Sequence, residues 1–206
     1  MAMRSDNTGD VPMVGPARYA VSVVVALRPG IGLQCDMTVS EAIERRKSVR
    51  AFLDTPVDPA VLRQLMEKVR LAPSARNAQE WRFVLVTDAE TRAKLADAAG
   101  GQRFVGAAPV VVVACAKTDR RLMSSGHPAF LIDVAISLDH LTLAAVEMGL
   151  DTCWIGAFDP AKVRVALGIP ADVEVIQLMP LGYAEDPSPQ PKRRFDYDEI
   201  VREERW

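Results

Sequence analysis

Arg46, Lys47, Ser48 and Arg50 place two guanidinium forks, an ammonium and a hydroxyl within one short segment. Such a set meets one small dianion with charge-assisted, partly bidentate hydrogen bonds, which is what a phosphate group requires. The plain alternative is a solvated basic helix end, its cations complementing the macrodipole by about 0.3–1 kcal/mol each. A second basic group, Lys192-Arg193-Arg194, stands near the far end of the chain. Each cluster is too small for a polyanion, but together they suffice for one phosphate. Between them, the loop Ser74–Gln79 offers hydroxyl and amide groups able to read the polar edge of a ring. Trp154-Ile155-Gly156 sets a large apolar side chain beside a glycine, where backbone can approach a planar ligand closely. An apolar slot with a few placed polar groups and a phosphate anchor describes a nucleotide-like cofactor.

Other chemistries find less support. No G-x-x-x-x-G-K-[ST] loop and no strand-borne G-x-G-x-x-G is present, which argues against an ATPase and a Rossmann domain. Ser124, Ser125 and His127 lie close together, but no nucleophile elbow frames them. His127 and His140 lack ligand spacing, so no metal is assigned. Asp133, Asp139 and His140 read as structural pairs inside the fold. The formal charge of −2 over 206 residues favours neither nucleic acid nor an acidic membrane surface. The three cysteines, Cys35, Cys115 and Cys153, form no C-x-x-C pair, and a reducing cytoplasm is their natural home.

The elements that must position these groups follow from pattern. Residues 1–37 differ from the rest. Their apolar run Tyr19–Leu27 is far short of the ~20 residues that span a bilayer. Residues 1–37 are expected to be a poorly structured N-terminal extension, of which 1–36 are dispensable, with Met37 just before a clean helix start. Thr38 and Glu41 form a capping box for a short helix ending near Arg46. Val49–Leu53 is extended. Asp58-Pro59 opens a helix carrying Leu62, Leu65, Met66 and Val69 at helical spacing. Trp81–Val86 reads as a strand. Thr87 and Glu90 suggest a capping box for a surface helix ended by Gly100-Gly101. Pro109–Ala116 is a continuous apolar run, the mark of a strand buried on both faces. Arg120–His127 is a polar loop, and Ala129–Met148 is the longest helix, apolar around most of its circumference. Asp151–Ala157 and Val173–Gly182 are strands, and Pro180 within the second points to an edge or a bulge. Strands alternating with helices give an α/β or α+β sandwich sharing one long helix.

Four pieces in register resemble the flavin-dependent nitroreductase family. They are Arg45–Phe52, Ala72–Trp81, Gly149–Phe158, and Leu181-Gly182-Tyr183 with Lys192–Arg194. The likeness runs from about Thr38 to Val201, which makes 38–206 the FMN-binding domain. It implies an α+β three-layer sandwich, a central mixed sheet flanked by helices, and a homodimer with FMN sites lined by both chains. Ala129–Met148 is then the candidate dimer core. Carried over residue by residue, Arg46, Lys47, Ser48 and Arg50 would grip the FMN phosphate and ribityl chain. Pro73, Ser74, Ala75 and Asn77 would lie along the isoalloxazine ring. Trp154, Ile155 and Gly156 would bring backbone N–H to flavin N5, and Lys192 and Arg194 would return to the phosphate. No side chain is assigned as a catalytic acid or base. The activity implied is ping-pong hydride transfer from NADH or NADPH through FMN to nitroaromatics, quinones or conjugated carbonyls. Dehalogenation, flavin-consuming cofactor synthesis and non-catalytic flavin binding are the alternatives. Arg76 and Glu80 depart from the small residue and proline common in the family's loop.

Overall fold

The computed structural model describes residues 37–206. The expectations for residues 1–36 lie outside them. At the centre is a sheet of β1 (Trp81–Val86), β2 (Val110–Lys117), β3 (Asp151–Thr152) and β4 (Val173–Gly182), in the order β1-β2-β4-β3. Around it stand α1 (Val39–Arg45), α2 (Pro59–Arg70), α3 (Ala89–Ala98), α4 (Arg103–Ala107), α5 (Ala129–Glu147), α6 (Pro160–Leu167) and α7 (Tyr197–Ile200).

β2 explains the layering. Side chains alternate across a strand, so one apolar run feeds two cores. Val110, Val112, Ala114 and Ala116 join Leu62, Leu65 and Val69 of α2 and Leu138 and Leu141 of α5. Val111, Val113 and Cys115 join Leu95 of α3 and Val163 of α6 on the opposite face. The result is a three-layer α+β sandwich. A run of this kind usually belongs to a parallel strand. Here both neighbours of β2 are antiparallel, and helices on both faces demand the apolar sequence. The mixed character of the sheet rests on one parallel bridge, Ser48 to Thr152, beside β3.

Local signals set most helix starts. Glu41 N–H donates to Thr38 Oγ1 at 3.2 Å and Thr38 N–H to Glu41 Oε2 at 2.7 Å, closing the expected box. Asp58 Oδ1 accepts from Ala60 N–H at 2.7 Å, with Pro59 opening α2. α3 departs from expectation: its cap is Asp88, not Thr87. The Asp88 carboxylate takes both Thr91 N–H, at 2.8 Å, and the Thr91 hydroxyl, at 2.7 Å, and a carboxylate cap outcompetes a hydroxyl one residue earlier. α4 carries no cap signal in the sequence. Its last carbonyls are held from outside by Arg92, which donates to Gly106 O at 2.8 Å and to Ala108 O.

Pro180 sits neither on an edge strand nor at a bulge of its own. β4 lies between β2 and β3, and the register slip beside β2 falls between Ala114 and Cys115. Pro180 O accepts from Cys153 N–H at 3.3 Å, so this residue's polar backbone faces away from β2. Its missing N–H therefore removes no bond from the β2–β4 ladder.

α5 is long and apolar enough to cross a membrane, yet half of that window is buried against the sheet and α2. Leu131 and Ile132 remain 44% and 43% exposed on its outer side. Gly182, at the end of β4, is fixed by close approach. A Cβ there would stand 2.5 Å from Pro109 Cδ and 3.3 Å from the Phe52 ring. The Pro109 ring cannot swing aside, so Gly182→Ala is expected to destabilise the fold by about 1–3 kcal/mol. A melting temperature equal to wild type would contradict that packing.

Candidate functional site

The basic segment is split by its own backbone. α1 ends at Arg45, and Arg46 turns to ψ 129°, so the residues that follow are extended. Extended chain alternates with period two. Ser48 and Arg50 face outward, whereas Lys47 and Val49 are buried. Val49 N–H donates to Thr152 O at 3.0 Å, which locks the segment against β3. This corrects the expectation for Lys47. Its ammonium turns inward and donates to Asp186 O at 2.6 Å and Ser188 O at 2.7 Å. A helix end would have kept all four groups together; an extended strand cannot.

Lys47 nevertheless serves the arrangement, because those carbonyls belong to the tail leading to Lys192 and Arg194. Lys192 Nζ donates to Ile43 O, which brings the second basic group onto the end of α1. Desolvation, then the nearby charges of Arg46 and Arg194, hold the Lys192 ammonium below the usual lysine range, with Glu44 opposing. A desolvated lysine beside two guanidinium groups stands where an added anion is favoured. Among the described residues, Arg46, Arg50, Lys192 and Arg194 form no salt bridge. The two distant clusters thus meet within one protomer.

The Trp154–Gly156 segment borders the same place. Burial raises the Cys153 thiol above its usual value, while Arg50, Ser48 and Arg46 pull it down, so these groups stand near Cys153. Ile155 is engaged in the sheet, its N–H donating to Leu178 O at 3.0 Å. That residue's N–H is therefore not free for a ligand. Alternation turns the Trp154 and Gly156 N–H groups the other way, and neither makes a hydrogen bond among the described residues. A Cβ on Gly156 would meet nothing within 4 Å, so the chain's own packing does not require glycine there. Trp154 is 38% exposed. Together, unpaired cations, free backbone donors, an aromatic ring and open space over a glycine fit the phosphate and ring of a flavin mononucleotide.

The loop carrying Pro73, Ser74, Ala75 and Asn77 lies elsewhere in the protomer. It leads into Trp81, which pairs with Ala116, and Ala116 in turn with Glu174. The basic segment sits by Thr152, which pairs with Leu181. From Glu174 to Leu181 is roughly 23 Å along the strand, and three strand spacings separate β1 from β3 by about 14 Å. The loop and the basic cluster occupy diagonally opposite corners of the sheet. In the loop, Arg76, Asn77 and Gln79 take left-handed φ of 54°, 55° and 50°. Ser74 Oγ accepts from Gln79 N–H at 3.1 Å, and Asp133 Oδ1 accepts from Ala75 N–H at 3.0 Å. Asp133 is the group that sequence reasoning undervalued. Its signal was a lone carboxylate in the apolar stretch Ala129–Ser137.

The family model named Nitroreductase family matches residues 43–102 and 98–183. The chain belongs to the nitroreductase family. A Thermus thermophilus protein named NADH dehydrogenase is 31% identical over 188 residues, covering 76% of this chain and 91% of the relative. A Bacillus subtilis protein named FMN reductase (NAD(P)H) is 30% identical over 185 residues, covering 82% of this chain and 74% of the relative. Among solved structures, the NADPH:FMN oxidoreductase from Vibrio harveyi complexed with NAD+ superposes with a TM-score of 0.74 at 27% identity, covering 82% of this chain and 77% of that one.

Proposed function

We propose that this protein is an NAD(P)H-dependent FMN oxidoreductase that works as a homodimer, with residues 38–206 forming the FMN-binding domain. The observation that carries this reading is the convergence of Arg46, Arg50, Lys192 and Arg194 on one corner without a salt bridge among the described residues. Arg46, Arg50 and Arg194 hold the FMN phosphate by charge-assisted hydrogen bonds, and Ser48 adds a hydroxyl. The Trp154 and Gly156 N–H groups supply donors at the polar edge of the ring, and the neighbouring cations favour its anionic reduced form. Bound FMN supplies the hydride chemistry, accepting from NAD(P)H and returning electrons to an oxidised acceptor. The acceptors are planar and electron-poor: nitroaromatics, quinones or conjugated carbonyls.

The dimer follows from the diagonal separation of the two half-sites. Loop residues Pro73–Asn77 reach a flavin held at the basic corner only if a second copy brings them there. Leu131 and Ile132 on α5 give that copy an apolar surface, and a twofold contact uses the same patch on both subunits. The cytoplasm is the compartment that suits the chain. Anaerobic addition of NADH or NADPH to FMN-loaded protein is expected to bleach the oxidised flavin's visible band, and a quinone to restore it. A band that persists with both nicotinamides would leave flavin binding without the activity.

A further inference from the structure

The 3₁₀ turn Ala75–Asn77 begins at Ser74, which makes no side-chain cap. The Ser74 hydroxyl is turned instead to Gln79 N–H at 3.1 Å. The cap arrives from another element: Asp133 of α5, 3% exposed, accepts Ala75 N–H through Oδ1 at 3.0 Å. No donor among the described residues reaches the buried Oδ2. The loop Ser74–Gln79 that it holds contains left-handed Arg76, Asn77 and Gln79, a backbone that persists only where its surroundings over-determine it. A buried carboxyl with one oxygen unpaired is a poor choice for stability and a good one for a fixed, directional anchor.

We infer that Asp133 is a positioning residue: a cap supplied by α5 that holds Ser74–Gln79 in the strained shape required to lie against the flavin. Its link to the flavin rests on the function proposed above. Its link to the loop does not. Because α5 also carries the outward Leu131 and Ile132, the same helix that meets the second copy sets the loop presented to that copy's cofactor.

Two substitutions remove the hydrogen bond from opposite sides. Asp133→Leu keeps the branched four-atom skeleton of the side chain and removes the acceptor. Ala75→Pro removes the donor, and Ser74, at φ −143° and ψ 155°, already has the extended backbone that precedes proline. Amide exchange of residues 76–79 in the FMN-free protein is expected to quicken roughly tenfold or more in each. Asp133→Asn, which keeps an acceptor oxygen, is expected to leave exchange near wild type. FMN dissociation constants should rise about tenfold or more in Asp133→Leu and Ala75→Pro, and the double variant should be no worse than either alone. The melting temperature of FMN-free Asp133→Leu should not fall below wild type. Unchanged loop exchange in both single variants would overturn the positioning role. So would equal losses in Asp133→Asn and Asp133→Leu, or losses that simply follow melting temperature. Quickened loop exchange in the two variants, together with a wild-type protein that takes up no FMN, would uphold the loop cap and sink the flavin reading alone.

Discussion

A chain carrying Arg46→Ala and Arg194→Ala is expected to bind FMN at least roughly a hundredfold more weakly than wild type. On the proposed assignment each guanidinium contributes a charge-assisted bond to the phosphate, worth about 1.5–3 kcal/mol. The two lie near Lys192, so removing them takes two of the four cations from the corner. Single variants should each lose about tenfold or more, with some non-additivity because they share one ligand. Arg63→Ala, on α2 away from this corner, is the control and should bind FMN as wild type does. Equilibrium dialysis or flavin fluorescence quenching measures all four. Wild-type affinity in the double variant would remove the phosphate assignment and the cofactor with it.

Ile132→Glu is expected to produce a monomer that has also lost FMN. Ile132 is 43% exposed on α5 beside Leu131. In a twofold contact each substitution appears twice, so two carboxylates enter one apolar interface. Uncompensated burial of a charge costs about 3–5 kcal/mol, enough to weaken the dimer roughly a thousandfold or more. Affinity for FMN should fall with it, since the loop bearing Asn77 would no longer reach the basic corner. Sedimentation at micromolar concentration, read at both protein and flavin wavelengths, tests the two losses together. A monomer retaining full flavin would show that one protomer builds the whole site.

Much of this fold was legible because local chemistry and global packing agreed. The Thr38–Glu41 box, Asp58-Pro59, the apolar run of β2 and the long helix α5 all appear where pattern placed them. Failures came where two local rules competed or where a partner is distant in sequence. Asp88 displaced Thr87 as a cap. The inward turn of Lys47 was hidden because the change from helix to extended chain at Arg46 depends on pairing with Thr152, a contact made 106 residues later. For the same reason, spacing could bring Lys192 and Arg194 to Arg46 only as a conjecture. The tether from Asp133 to Ala75 was invisible in principle: a carboxylate in an apolar helix signals a buried partner without naming it. Arg76, in left-handed backbone on an exposed loop, makes no hydrogen bond or ion pair among the described residues that explains why arginine stands there.

Subunit complementation tests the central claim most directly. One chain carries Arg46→Ala and Arg194→Ala; the other carries Asn77→Trp, whose indole fills the space over the loop. Each homodimer should bind FMN poorly. If a site joins the basic corner of one subunit to the loop of its partner, the mixed dimer contains one doubly damaged site and one intact site. It should then bind a single FMN per dimer with wild-type affinity. A mixed dimer that recovers no tight flavin site would contradict a shared site and return the whole cofactor to a single chain.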